Sequence, residues 1–170
     1  MHITGTFGSA LLLAAFALAD TQTCANCDVE AHGFASLNGG TTGGKGGRIV
    51  TAKKLDDLIR YAASTEPLII RVDGMIKAKP FGFEVPVKSH KTIIGVGAKS
   101  GIEEGGLNIN SQKNVIIRNL KIHGTYQATN WAGKEGDYDA IQVDNSTNIW
   151  IDGNHVSSSP IVTVRKESTY

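Results

Sequence analysis

The sequence predicts an all-β chain wound as a parallel β-helix (a solenoid) with one short N-terminal capping helix. Three observations carry that expectation. After Pro67 the chain breaks into short runs rich in Ile, Val and Thr, most of them ended by Gly or Asn, the composition of strands. The runs recur at a near-constant interval. Ile70, Ile94 and Ile117 are 24 and 23 residues apart, and Ile151 follows 34 residues later, which marks a stacked repeat. Only one stretch, ahead of these runs, has helical periodicity, so a helical solenoid is excluded.

The chain has 170 residues. Residues 1–19 read as a signal peptide: Ala10 to Ala19 is apolar but too short to span a bilayer. Ala17-Leu18-Ala19 offers the small-x-small pattern for cleavage before Asp20. The stretch ahead of it holds no Lys or Arg, only His2, and a buried helix is the alternative. Cys24 and Cys27 follow. In an exported chain they are expected in a disulfide, local or to another partner, rather than in a metal or redox site. No second long apolar run exists, so the mature chain is expected to be soluble and without membrane association; the signal peptide implies secretion, and a monomer is expected. The formal net charge is +1, which gives no basic field for nucleic acid.

Gly33 to Gly47 is rich in Gly and Thr without periodicity and reads as a loop or irregular opening segment. It is not a phosphate-binding loop, because Lys45 is followed by Gly46 rather than Ser or Thr. The helix is expected over Thr51 to Ala63, with Thr51 as N-cap and Leu55, Leu58, Ile59 and Ala62 on one face. It suits a lid over one end of a β structure. Strands are expected at Leu68 to Val72, Lys91 to Val96, Asn114 to Arg118, Ile141 to Val143, Asn148 to Asp152 and Ile161 to Val164. Asn114 to Ile122 aligns without gaps on Asn148 to Val156. A β-sandwich competes, but its strands should alternate apolar and polar, whereas these runs are mostly continuous, as in buried parallel strands. No rear cap is visible before Tyr170, so residues 20–170 are expected to form a partial β-helix domain lacking its C-terminal rungs, with an unpaired edge.

The sharpest chemical feature is Asp137-Tyr138-Asp139. Carboxylates at i and i+2 on extended backbone point the same way and can share a hard cation such as Ca2+. Ile141 and Val143 have the same parity and should point inward, so a turn or bulge between Asp139 and Ile141 is needed to leave the pair outside. A solvated loop is the bland alternative. His32, His90, His123 and His155 are scattered without ligand spacing. Trp131 sits in the polar stretch between His123 and Asp139 and could stack on a sugar, whereas Trp150, between Ile149 and Ile151, reads as packing. Arg165 could meet a carboxylate or simply be an exposed end.

The segments Gly33 to Gly44, Lys91 to Gly97, Asn114 to Leu120 and Asn148 to Asp152 resemble the pectate lyases, in particular fungal members of polysaccharide lyase family one, over the N-terminal portion of that family. The resemblance implies a right-handed parallel β-helix. It also implies calcium-dependent β-elimination on polygalacturonate (pectate) of plant cell walls, with an arginine taking the proton. Asp137 and Asp139 match the family's first pair of calcium ligands, and Arg165 falls where relatives place a basic substrate-binding residue. There are departures. Gly153 stands where the family has His, and Ser159 and Thr163 stand where relatives carry a second acidic pair. No catalytic residue is assigned, because the family arginine would lie beyond Tyr170. Two carboxylates instead of four should weaken calcium, and without the base the proton transfer is lost. The 170-residue chain is therefore expected to show little or no lyase activity. A non-catalytic pectate-binding remnant and a truncated gene product are the alternatives.

Overall fold

A computed structural model describes residues 30–130, 136, 138–159 and 163–165. β1 (Arg48–Ala52) and α1 (Leu55–Ala62) come first, and four coils of three strands follow. The first coil holds β2 (Leu68–Val72), β3 (Met75–Lys77) and β4 (Phe83–Pro86). The second holds β5 (Lys91–Gly95), β6 (Gly101–Glu103) and β7 (Gly105–Asn110). The third holds β8 (Lys113–Arg118), β9 (Lys121–His123) and β10 (Ile141–Asp144). The fourth holds β11 (Thr147–Asp152), β12 (His155–Ser157) and β13 (Thr163–Arg165). Like strands stack into three sheets: β1-β2-β5-β8-β11, β3-β6-β9-β12 and β4-β7-β10-β13. Every pairing among the described residues is parallel. This is a right-handed parallel β-helix, and parallel pairing excludes the sandwich.

The stacking follows the sequence repeat. Val50, Ile70, Ile93, Ile117 and Ile151 form one inward column, and Ile76, Ile102, Ile122 and Val156 form a second. The middle members of both columns are fully buried, each worth about 1.5–3 kcal/mol of transfer free energy. The gapless alignment holds: Val115, Ile117 and Ile122 pair with Ile149, Ile151 and Val156. One register is corrected. Ile70 pairs with Ile93, not Ile94, which points to the outer face beside Arg71 and Arg118. Adjacent isoleucines at 93 and 94 left that parity ambiguous. The later strands pair Val143 with Val164, an offset of 21 rather than the 20 between Ile141 and Ile161.

The helix is shorter than expected. Its N-cap is Lys54, without a side-chain capping bond, and Thr51 lies in β1 opposite Arg71. Arg48 to Ala52 is itself β-branched, so pairing with β2 wins the residues that were expected to start the helix. The apolar face is as expected: Leu58 and Ala62 are buried, with Leu55 and Ile59 packed against the core. α1 covers the first coil, touching β1, β2 and β4.

The Gly-rich opening segment is a strap over the outer face of the β1-β2-β5-β8-β11 sheet. This is why Thr92 and Ile116, on that outer face, are buried. A Cβ on Gly44 would lie 2.0 Å from the Leu68 carbonyl oxygen, so only glycine permits the contact. Corners between strands use left-handed backbone at equivalent places in successive coils: His90, Asn114 and Asn148 at one corner, Asn119 and Gly153 at another. Asn tolerates that region better than most residues, which gives the aligned Asn114 and Asn148 their physical meaning. Residues 1–29, including the expected signal peptide and Cys24 and Cys27, lie outside the described residues.

Candidate functional site

The third coil is ten residues longer than the second, because a polar insertion separates β9 from β10. Its exit leads onto the outer face of the β4-β7-β10-β13 sheet. Strand alternation there buries Val85, Leu107, Ile109, Ile141 and Val143 and turns Glu84, Asn108, Gln142 and Asp144 outward. Their side chains are linked. Asn108 Nδ2 donates to Glu84 Oε2 and to Gln142 Oε1, both at 3.0 Å. Gln142 Nε2 donates to Asp144 Oδ2 at 2.8 Å.

Asp139 sits at the head of this row. The expected break in the strand is present, as a bend at Ala140. The expectation that it leaves the carboxylate in solvent does not hold for Asp139, which is only 2% exposed. The reason is close packing on the coil below. The Asp139 carbonyl would stand 2.1 Å from a Cβ on Gly106, and the Asp139 N–H donates to Glu84 Oε1 at 3.1 Å. Just upstream, Thr125 Oγ1 donates to the Tyr138 carbonyl at 2.9 Å, and the Tyr138 ring packs edge-on to Phe81 at 5.4 Å. Gly82 and Gly136 leave room for that ring. The insertion's exit is thus anchored on both sides of Asp139.

Asp137 and Trp131 lie outside the described residues. Arg165 belongs to β13 and pairs in register with Asp144, so the substrate-binding candidate falls on the sheet that carries the row of Glu84, Asn108, Gln142 and Asp144. Thr163 pairs with Gln142, and Ser159 Oγ accepts the Thr125 N–H at 3.4 Å. The other candidates are spread over the molecule. Trp150 is buried on the outer face of β11, between His32 at 5.4 Å and the Arg118 guanidinium at 4.7 Å, in a packing role. His90 contacts Asn114 at 2.9 Å, while His123 and His155 are on β9 and β12. Among the described residues no group of three or more His, Cys, Asp or Glu side chains is placed to hold a metal. Asp139 supplies carboxylate oxygens, the donor type that suits calcium rather than a softer ion, whereas each Glu84 oxygen accepts a hydrogen bond, from the Asp139 N–H and from Asn108 Nδ2.

Sequence reasoning missed Glu84, Asn108 and Gln142. Their signal was the alternation in Phe83 to Pro86, Leu107 to Asn110 and Ile141 to Asp144, masked by Pro86 and by Gly105-Gly106.

A family model described as "Pectate lyase" matches residues 6–162. A pectate trisaccharide-lyase of Thermotoga maritima is 38% identical over 157 residues, covering 89% of this chain and 42% of the relative. A probable pectate lyase B of Aspergillus flavus is 41% identical over 135 residues, covering 79% of this chain and 37% of the relative. Among solved structures, a pectate lyase of Bacillus sp. N165 in complex with trigalacturonate is 33% identical with a TM-score of 0.59, covering 72% of this chain and 41% of that one. The chain spans about two-fifths of the length of these relatives. With a right-handed parallel β-helix and a match over nearly its whole length, the chain belongs to the pectate lyase family.

Proposed function

We propose that this chain is the N-terminal part of a secreted, calcium-dependent lyase that cleaves polygalacturonate by β-elimination. The family match over residues 6–162 carries the reading. The position of Asp139 beside Glu84, at the head of an outward polar row, supports it. In this reading Asp137 and Asp139 hold calcium, and Arg165, on the sheet that carries that row, meets a galacturonate carboxylate. Calcium, when bound, draws charge from the uronate carboxylate and makes the neighbouring C5 proton easier to remove. The chain's own residues bind and orient: the Glu84, Asn108 and Gln142 side chains hold the surface on which an extended acidic polymer would lie. No residue of this chain is assigned as the base that takes the proton. Secretion rests on the Ala10 to Ala19 stretch, and no helix among the described residues is long and apolar enough to cross a membrane. The chain is read as acting alone, as a monomer.

Ser159 and Thr163, in place of a second acidic pair, favour a second reading for the 170 residues alone: a pectate-binding module without cleavage. Two measurements on purified chain separate the readings. Ultraviolet absorbance of the unsaturated product, formed from polygalacturonate with calcium, reports cleavage. Co-sedimentation with insoluble calcium pectate reports binding. We expect binding with little or no absorbance rise. Robust calcium-dependent cleavage would rule out the binding-only reading, and absence of both signals would rule out both.

A further inference from the structure

We infer that Glu84 is a positioning residue, setting the direction of the Asp139 carboxylate through the Asp139 backbone rather than by binding the cation itself. The inference rests on the calcium reading above and adds a residue from a different coil to it. Glu84 lies in β4, 55 residues before Asp139. Its two oxygens have separate tasks. Oε1 accepts the Asp139 N–H at 3.1 Å, and Oε2 accepts Asn108 Nδ2 at 3.0 Å. The Asn108 amide is fixed in turn by Gln142 Oε1 at 3.0 Å, and the Gln142 amide by Asp144 Oδ2 at 2.8 Å. Each link spans neighbouring strands or one strand face of the three stacked coils, so the Glu84 side chain has little freedom to rotate. The peptide it holds is the one entering the bend at Ala140. The Ala140 carbonyl accepts the Leu107 N–H of the coil below at 3.0 Å, so the Glu84 bond fixes the backbone one residue ahead of the first bond to that coil. Partners hydrogen-bonded to a ligating side chain typically tune metal affinity about 10–100-fold by orientation; the inference extends that role to a partner of the backbone that carries the ligand.

Orientation and charge give opposite expectations for two substitutions. Glu84→Gln keeps a carbonyl acceptor for the Asp139 N–H and removes the charge; its Nε2 replaces the oxygen that accepts from Asn108, so that bond is lost while the one to the Asp139 backbone is kept. Asn108→Asp adds a charge but replaces the donor that clamps Glu84 with a repelling carboxylate. The experiment is calorimetric titration of calcium chloride into the full chain and into Glu84→Ala, Glu84→Gln and Asn108→Asp. Glu104→Gln, which breaks a Lys77 ion pair on a different sheet, is the control, and each protein's unfolding midpoint is measured in chelator. The expected result is about a tenfold or greater loss of calcium affinity for Glu84→Ala and Asn108→Asp, with Glu84→Gln within about threefold of the parent. If Glu84→Ala does not fold, the remaining pair decides.

Equal losses in Glu84→Gln and Glu84→Ala, or tighter binding in Asn108→Asp, would show that Glu84 acts by charge and overturn the inference. Unchanged affinity in Glu84→Ala would overturn it while leaving the calcium reading standing. A parent chain that binds no calcium would remove both.

Discussion

Asn114 Oδ1 accepts the backbone N–H groups of both Thr42 and Gly43 at 2.7 Å, across more than 70 residues of chain. One amide thereby pins the Gly-rich strap to the corner between the second and third coils, and Asn114 Nδ2 returns a bond to the Gly43 carbonyl at 3.1 Å. The residue also holds left-handed backbone, with φ of 59°.

Asn114→Ala removes the bonds and keeps a Cβ in that strained region, so a loss of about 2–4 kcal/mol is expected. Asn114→Gly loses the bonds alone and should cost about 1 kcal/mol less than the alanine variant. Chemical denaturation of both variants checks the difference. Equal losses would mean that the backbone conformation contributes nothing.

The inward columns differ along the axis. Ile117 is fully buried between Ile93 and Ile151, whereas Ile151 is half-buried in the fourth coil. Ile117→Ala should cost about 2–5 kcal/mol and Ile151→Ala clearly less. Denaturation midpoints for the pair test this directly, and a larger loss at Ile151 would contradict the stacking order.

Lys91 is a cation inside the inward column of Leu68 and Val115. It is fully buried, and its ammonium donates to the Ser89 carbonyl at 2.9 Å. Burial pushes its pKa below the usual lysine value, against a smaller opposing pull from Glu66. Below the folded pKa the lysine is charged in both states. As pH rises through that lowered value toward 10.5, the folded chain gives up the proton first. The unfolded chain then holds more protons, and stability rises with pH. Relative to Lys91→Met, the parent should therefore gain stability on moving from neutral to alkaline pH. Lys91→Met itself should be at least as stable as the parent at pH 7. Paired melts across pH check both statements.

Gly106→Ala should disturb the candidate site without touching a charged group. The new Cβ would meet the Asp139 and Ala140 carbonyl oxygens at 2.1 and 2.7 Å, so the backbone at the bend must shift. A stability loss of about 1–3 kcal/mol is expected, together with weaker calcium binding by titration. Calcium affinity equal to the parent's would separate the Asp139 backbone from the cation.

The fold was legible because its signal repeats. Ile and Val recur once per coil, and Asn114 and Asn148 recur at one corner, so even an ambiguous pair such as Ile93-Ile94 displaced one register and not the topology. β3, β6, β9 and β12 are three residues long, too short for periodicity to mark. β1 was hidden because Thr51 suits both a helix cap and a strand. At the candidate site, local sequence offered Asp137, Asp139 and Arg165, with Trp131 as a candidate sugar contact. Glu84 is brought to Asp139 by coil stacking across 55 residues, and spacing within one segment carries no trace of that. The burial of Asp139 also escaped the sequence, because a bend at Ala140 satisfies the parity of Ile141 whether the carboxylate faces solvent or the coil below.

The most direct test of the functional account is equilibrium binding of polygalacturonate to the purified chain, measured by calorimetry in calcium and again in chelator, for the parent and for Asp139→Asn. The account expects binding in calcium only, weakened about tenfold or more by Asp139→Asn. Binding that survives the chelator, or that Asp139→Asn leaves unchanged, would contradict it.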